Sequence, residues 1–83
     1  MGIEKTIYLD DFLKDGIISE KHFRDLAEKI DWEEFKGLKV LIKGCSSAPV
    51  PTWAYLILTA NLSQYAKEIL YGEPCSAIKI FKK

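Results

Sequence analysis

The sequence predicts an α/β fold with a small, mostly parallel sheet, in the order β-α-α-β-α-β-β. Two observations lead to this fold class. The apolar run Leu38–Ile42 lacks the polar alternation of a half-exposed strand and is typical of a central strand covered on both faces. A very apolar helix is predicted soon after it, at Thr52–Asn61. Strands that alternate with helices favour right-handed crossovers and parallel pairing.

Chain length and composition favour one α/β domain over residues 1–83. The 83 residues are 48% hydrophobic and 12% aromatic, which is enough for one thin core and too apolar for a disordered chain. Twelve basic side chains balance twelve acidic ones, so the formal net charge is zero. Because nucleic-acid binding usually needs a basic face, no nucleic-acid partner is expected.

Nothing in the sequence indicates export or membrane insertion. The first residues lead directly into a strand pattern rather than into an apolar signal segment. The longest unbroken apolar run, Trp53–Leu58, is much shorter than the ~20 residues that span a bilayer. Two cysteines without a CxxC pair are too few for a disulfide-built scaffold. A reduced, cytoplasmic protein without a membrane partner is therefore expected.

The first third of the chain carries strand and helix signals in turn. Thr6–Leu9 alternates in polarity, which predicts a half-buried strand. Asp11–Asp15 predicts a short helical turn that stops at Gly16. Ser19 is predicted to cap the first long helix. The apolar stripe of that helix is formed by Phe23, Leu26, Ala27 and Ile30.

Further elements follow at similar spacing. Asp31 is predicted to cap another turn, which ends at Gly37. Pro51 suits the start of the apolar helix, because its missing N–H would be unpaired there in any case. Ile69–Tyr71 and Ala77–Phe81 predict the last two strands. The predicted core consists of Phe23, Leu26, Val40, Ile42, Trp53, Ile57 and Leu70.

Four segments carry a resemblance to a known family. They read DGIISEKHFR at 15–24, DWEEFKG at 31–37, PVPTWAY at 49–55 and YAKEILYGEP at 65–74, with a cysteine-serine turn between the second and third. In these segments the chain resembles an uncharacterised bacterial family catalogued as a domain of unknown function, DUF2480. The resemblance implies a bacterial, cytoplasmic α/β protein and supplies no activity or cofactor. It also implies longer relatives, of which this chain would be a minimal version or a piece.

The loop between the central strand and the apolar helix is the one place where the sequence predicts a ligand site. It lacks the second glycine and the lysine of a phosphate loop, and Pro49 and Pro51 remove backbone donors. A cysteine phosphatase would need an arginine six residues after Cys45, where Pro51 stands. If the second and third strands are parallel, the loop at Cys75 leaves from the same sheet edge. A small anion or other small ligand would then be held by Cys45, Ser46, Ser47, Thr52 and Cys75.

No catalytic set, metal site or cofactor is predicted. His22 is the sole histidine and is expected on the flank of a surface helix. The spacing of His22, Cys45 and Cys75 does not favour zinc. Cys45 is expected to pack as a small apolar group, although Lys43 on the same strand face would favour its thiolate, and Cys75 is expected to be an ordinary loop thiol.

Two functional classes therefore remain open. The first is a small cytosolic, non-catalytic binding or assembly module, most simply a homodimer through the apolar helix Trp53–Leu62. The second is binding of a small anion or ligand at the Cys45–Thr52 loop, with thiol-dependent chemistry as its less favoured form. Enzymatic activity is uncertain and the absence of a catalytic set argues against it.

Overall fold

The fold is taken from a computed structural model that describes residues 2–44 and 48–83. The described residues form four strands and two α-helices. These are β1 (Lys5–Tyr8), α1 (Glu20–Lys29), β2 (Lys39–Lys43), α2 (Thr52–Leu62), β3 (Glu68–Tyr71) and β4 (Ile78–Lys82). Short 3₁₀ helices lie at Leu9–Phe12, Trp32–Phe35 and Pro74–Ser76. Neither α-helix in the described parts of the chain is long and apolar enough to cross a membrane.

The sheet is mixed, which corrects the prediction of a mostly parallel sheet. Its strands lie in the order β1-β2-β3-β4. The β1–β2 and β2–β3 pairs are parallel, whereas β4 runs antiparallel to β3. Only residues 72–77 separate β3 from β4. A connection this short suits an antiparallel return, because a parallel crossover needs about a dozen residues or more.

Both helices pack on one face of the sheet, so the fold has two layers. Ile7, Val40, Ile42 and Ile69 point from neighbouring strands into one apolar cluster with buried residues of α1 and α2. The buried helix residues are Phe23, Ala27, Ala54, Leu58 and Leu62. Two consecutive right-handed crossovers in the strand order 1-2-3 place both helices on the same side, which accounts for this arrangement.

Aromatic contacts join the first 3₁₀ helix to both α-helices. The ring of Phe23 lies 4.6 Å from that of Phe12 and 5.5 Å, edge to face, from that of Trp53, as measured between centroids. Trp32 donates its indole N–H to the carbonyl of Ala27 at 3.1 Å. Of these contacts, the one between Phe23 and Trp53 joins α1 to α2, and the other two attach 3₁₀ helices to α1.

The very apolar helix of the prediction is not supported by its environment. Only Ala54, Leu58 and Leu62 of α2 are fully buried, whereas Leu56 keeps 63% of its surface exposed and Ala60 is also exposed. In a two-layer fold a helix is covered by the sheet on one side only, so an apolar side chain on the outer side meets solvent.

Several local signals were confirmed and two were wrong. Ser19 occupies the N-cap of α1 without a side-chain capping bond, and Asp31 accepts the Glu33 N–H at 3.3 Å. The predicted turn Asp11–Asp15 is instead the 3₁₀ helix Leu9–Phe12 followed by a tight Lys14–Ile17 turn. The predicted core residue Leu70 is only partly buried and lies outside the core cluster, because its neighbour Ile69 faces the helices.

The other predicted core residues take part in the core. Val40, Ile42 and Phe23 are completely buried. The remaining three, Leu26, Trp53 and Ile57, are partly buried and pack against the same cluster. The sheet face opposite the helices carries Leu41, Leu70 and several lysines, and Leu41 is fully buried there.

Candidate functional site

The ligand site predicted from the sequence can be followed only in part. Cys45, Ser46 and Ser47 lie outside the described residues. Thr52 is the exposed first residue of α2, and Cys75 is an exposed free cysteine in the 3₁₀ helix Pro74–Ser76. The small-anion site at this loop stays a prediction.

The topology that this site requires is present. Strands β2 and β3 are parallel, so the chain leaves both at the same sheet edge. The N–H of Gly72 donates to the carbonyl of Ile42 at 3.2 Å, which holds the two strand ends together. At the same edge the ammonium of Lys43 lies 3.6 Å from a carboxylate oxygen of Glu73. Lys43 therefore has an acidic partner of its own. The predicted effect of Lys43 on the Cys45 thiol concerns a residue outside the described ranges.

His22 lies half-buried on α1, in agreement with a flank position. Within residues 2–44 and 48–83, no group of three or more His, Cys, Asp and Glu side chains is arranged to hold a metal ion. Cys45, one of the three side chains considered for zinc, lies outside those ranges.

A different surface stands out in the structure: an apolar groove between α2 and β4, here called the α2–β4 groove. It has a volume of about 250 Å³ and lies where the helix layer stops short of the last strand. Its lining consists of Ile42, Tyr55, Leu56, Thr59, Tyr71 and Ile80. Ile78 is paired with Tyr71 across the antiparallel ladder and extends the same face along β4.

The exposed apolar side chains of the described residues concentrate at this groove. Leu56 is 63% exposed, Ile78 62%, Ile80 46% and Tyr71 39%. The other large apolar side chains with comparable exposure, Ile17 and Tyr8, lie elsewhere. Contiguous apolar surface of this kind marks interaction sites in soluble proteins, whereas isolated exposed residues do not.

Two tyrosines shape one wall of the groove. The ring of Tyr55 packs edge to face on that of Tyr71, with centroids 5.0 Å apart. The Tyr55 hydroxyl reaches the backbone at Gly44, where it lies 2.8 Å from the position that a Cβ atom would occupy. A glycine at the end of β2 thus leaves the room that this tyrosine uses.

The sheet face opposite the helices is polar around one nearly buried carboxylate. Glu68 on β3 keeps 8% of its side chain exposed and lies 3.4 Å from the ammonium of Lys79 on β4. Removal from water would by itself raise the pKa of Glu68. The hydrogen bond from Lys79 and the nearby charges of Lys39 and Lys82 outweigh that effect, so the pKa is lowered from its ordinary value of 4.5.

The sequence pointed to the α2 side of the groove only: Tyr55, Leu56 and Thr59 lie in the helix Trp53–Leu62 that was predicted as the dimer contact, whereas the β3 and β4 residues were not predicted. Ile78, Ile80 and Leu56 were placed in the right elements, but their shared exposure depends on where α2 lies across the sheet. One sequence signal indicates the β4 side of the groove. Apolar and polar residues alternate at Ile78, Lys79 and Ile80, which is typical of a strand with one apolar face. That face has no helix of the described chain above its outer part.

Comparison with known families gives one finding. Comparison with curated proteins and with solved structures gives no match. The family described as "Protein of unknown function (DUF2480)" matches residues 18–83, which includes α1, β2, α2, β3 and β4. The chain therefore belongs to the DUF2480 family of proteins of unknown function.

Proposed function

We propose that the protein is a non-catalytic assembly module that forms a homodimer through the α2–β4 groove. The observation that carries this proposal is the convergence of Leu56, Tyr71, Ile78 and Ile80 on one apolar surface beside the last strand. The interface predicted from the sequence was the whole helix Trp53–Leu62. The present proposal keeps only the outer side of that helix as part of the contact. Trp53 and Ile57 of that helix already pack against the core.

The size of the surface supports a dimer contact. A large apolar side chain offers on the order of 200 Å². At exposures of 39–63%, the four side chains together present about 400 Å². Stable interfaces bury about 600–800 Å² on each partner, with an apolar centre and a polar rim. The groove is large enough for the apolar centre of such an interface, and a two-fold axis through it would cover both copies at once.

The outer edge of β4 supports contact through the groove rather than through strand pairing. Lys79 and Lys82 are exposed on this strand, and lysines on an edge strand oppose edge-to-edge pairing. The register between β3 and β4 also shifts between Ile69 and Leu70, so the edge is irregular.

Sedimentation equilibrium at tens of micromolar tests the proposal. The expected mass is twice the 9.5 kDa of one chain. Leu56→Glu places a charge at the centre of the groove and is expected to yield monomer, because burying an unpaired carboxylate is costly. A clean monomer mass for the parent protein would show that the proposal is wrong.

Ile17→Glu is the matched control. Ile17 is 61% exposed, close to the 63% of Leu56, but it lies in the Lys14–Ile17 turn rather than in the groove. This variant is expected to sediment like the parent. If Ile17→Glu dissociates the dimer and Leu56→Glu does not, the contact lies on another surface. Far-UV circular dichroism of both variants shows whether the fold is retained.

A bacterial cytoplasm is the proposed location of this dimer. The exposed free thiol of Cys75 supports this part of the proposal, because exposed thiols persist in reducing compartments. Fractionation of cells that produce the protein, with blotting of cytosolic and membrane fractions, tests it directly.

A further inference from the structure

A second cleft lies at the opposite edge of the sheet, beside β1, and is here called the β1-edge cleft. It has a volume of about 440 Å³ and is bordered by the outer edge of β1, by α1 and by the 3₁₀ helices Leu9–Phe12 and Trp32–Phe35. A cleft of this size falls in the range of ordinary ligand sites. It is separate from the α2–β4 groove, because no lining residue is shared between them.

The backbone of β1 offers hydrogen-bonding groups to this cleft. In the described chain β1 has one neighbouring strand, β2. The carbonyl of Lys39 accepts the N–H of Glu4, so Lys39 faces β1, and by alternation Leu41 and Lys43 do as well. In a parallel pair, a residue that hydrogen-bonds to the neighbouring strand stands opposite a residue of that strand whose own N–H and C=O point away from the pair. Thr6 and Tyr8 stand opposite Leu41 and Lys43, so the N–H and C=O of Thr6 and the N–H of Tyr8 point outward. The carbonyl of Tyr8 is used by the 3₁₀ helix Leu9–Phe12, of which Tyr8 is the N-cap.

The floor of the cleft is apolar. Phe12 and Phe35 are buried beneath it, and Leu26 and Ile30 contribute partly buried side chains from the end of α1. The edge strand and this floor run side by side. A chain segment paired with β1 would therefore direct every second side chain over an apolar surface.

The rim of the cleft is predominantly acidic. Asp11, Asp31 and Glu34 line it together with one cation, Lys29. Glu34 is paired with Lys5 at 3.4 Å, and Asp31 also accepts a backbone N–H in its capping role. No ion pair within residues 2–44 and 48–83 involves Asp11 or Asp31.

The wider charge distribution has the same sign. Residues 1–35 hold ten of the twelve carboxylates and five of the twelve cationic side chains, which leaves two and seven for residues 36–83. Residues 1–35, which supply every lining residue of the cleft, thus have five more negative than positive charges, although the whole chain has a net charge of zero. At the cleft itself, the carboxylates of Asp11, Asp31 and Glu34 outnumber the one lining cation, Lys29, and such an excess favours a cationic partner.

We propose that the β1-edge cleft binds an extended, arginine-rich segment of a partner protein, which adds to the sheet as a strand beside β1. Its backbone pairs with the N–H and C=O of Thr6 and with the N–H of Tyr8. Its alternate arginines lay their aliphatic stems on the floor at Phe12 and Ile30 and place their guanidinium groups at Asp11 and Asp31. A long cationic side chain matches an apolar floor with a carboxylate rim better than a short or purely apolar one.

The segment is not expected to be β4 of a second copy. That strand is basic and apolar as well, with Lys79, Lys82 and Lys83 beside Ile78 and Ile80. However, its register against β3 is irregular, and a bulged strand is a poor template for continued pairing. The β1 ladder, in contrast, keeps one regular register from Lys5 to Tyr8.

Titration with blocked hexapeptides tests the proposal. The probe is the peptide acetyl-Thr-Arg-Thr-Arg-Thr-Arg-amide. Its binding to the full chain is measured at low salt by ¹H–¹⁵N NMR. Saturable shifts of the Thr6 and Tyr8 amides and slower exchange of those protons are expected. The same peptide with glutamate for arginine, and a version with N-methylated backbone amides, are each expected to bind at least about tenfold more weakly.

A double variant that replaces two carboxylates by neutral amides supplies the second arm of the test. Asp11→Asn with Asp31→Asn is expected to weaken the arginine peptide about tenfold, because two charge-assisted hydrogen bonds become neutral ones. Asparagine at position 31 can still cap the 3₁₀ helix. The control Asp25→Asn removes one carboxylate charge, half the change of the double variant, from the exposed face of α1, where Asp25 pairs with Lys21, and is expected to change the affinity less than about twofold.

Several results would overturn the proposal. The first is that the Thr6 and Tyr8 amides show no saturable shifts at peptide concentrations up to the millimolar range. The second is that the glutamate peptide binds as tightly as the arginine peptide. Equal binding of the N-methylated peptide would mean that no strand is added. If the arginine peptide lowers the sedimenting mass of the parent protein and the double variant sediments at that lower mass without peptide, the cleft holds a second copy instead.

Discussion

Glu68 and Lys79 are joined across the antiparallel β3–β4 pair, with 3.4 Å between the ammonium nitrogen and a carboxylate oxygen. The two side chains differ sharply in exposure: 8% for Glu68 and 50% for Lys79. The contact ties the last strand to the rest of the sheet on the face that carries no helix. Because the carboxylate is nearly buried, its ionised form depends on the lysines around it.

Glu68→Gln is expected to lower the stability at neutral pH. The folded pKa of Glu68 is lowered from 4.5, so its ionised form stabilises the folded state above that value. The contribution is lost as the pH falls through the lowered folded pKa. Urea unfolding of both proteins at pH 7 and at about pH 3 should therefore show a gap that shrinks on acidification.

Glu73→Gln provides the control for that experiment. Glu73 is paired with Lys43 at 3.6 Å, but its side chain is 59% exposed. Exposed pairs contribute little, so the change in stability is expected to stay below about 0.5 kcal/mol at either pH. A gap for Glu68→Gln that persists unchanged at acid pH would mean that packing, and not charge, is responsible.

Leu58→Ala and Leu56→Ala make the same chemical change one half-turn apart on α2, with opposite expected results. Leu58 is completely buried against the sheet, whereas Leu56 is 63% exposed. Truncation of Leu58 is expected to cost about 2–5 kcal/mol in the free energy of unfolding, which is comparable to the total stability of a small domain. Leu56→Ala is expected to cost less than about 0.5 kcal/mol in the monomer.

Thermal unfolding at low micromolar concentration, followed by circular dichroism, measures both variants. The concentration is kept low so that the proposed dimer does not add to the stability of the parent. Equal destabilisation by the two variants would contradict the two-layer arrangement, because α2 would then have to be covered on both sides.

Much of the fold could be predicted because its elements are specified locally. The Ser19 and Asp31 caps, the stripe at Phe23 and the apolar run at β2 each depend on neighbours within one or two turns. The chain order of helices and strands followed from them. Local patterns of this kind survive in the structure because packing reinforces them.

The remaining features depend on contacts distant in sequence. Leu70 and Ile69 are equally apolar, and only the register against β2 decides which one faces the helices. The direction of β4 and the place of α2 across the sheet are likewise tertiary properties. Both clefts arise because two helices cover only the middle of a four-stranded sheet. The amino-acid composition does not determine which part of the sheet the helices leave uncovered.

Gly44 and Tyr55 provide the last prediction, which concerns the wall of the α2–β4 groove. A Cβ atom at position 44 would lie 2.8 Å from the Tyr55 hydroxyl and 3.9 Å from its Cζ. Gly44→Ala is therefore expected to displace the tyrosine from its edge-to-face contact with Tyr71, at a cost of about 1–3 kcal/mol. In a Tyr55→Phe background the hydroxyl is gone, and the same substitution meets only ordinary contact distances.

A double-mutant cycle on Gly44→Ala and Tyr55→Phe isolates this clash. Other interactions of the Tyr55 hydroxyl cancel, because the single Tyr55→Phe variant serves as the reference for the double variant. The cost of Gly44→Ala is expected to fall by at least about 1 kcal/mol when phenylalanine replaces the tyrosine. If the two costs agree within error, the hydroxyl does not limit the space at Gly44, and the explanation by a clash is wrong.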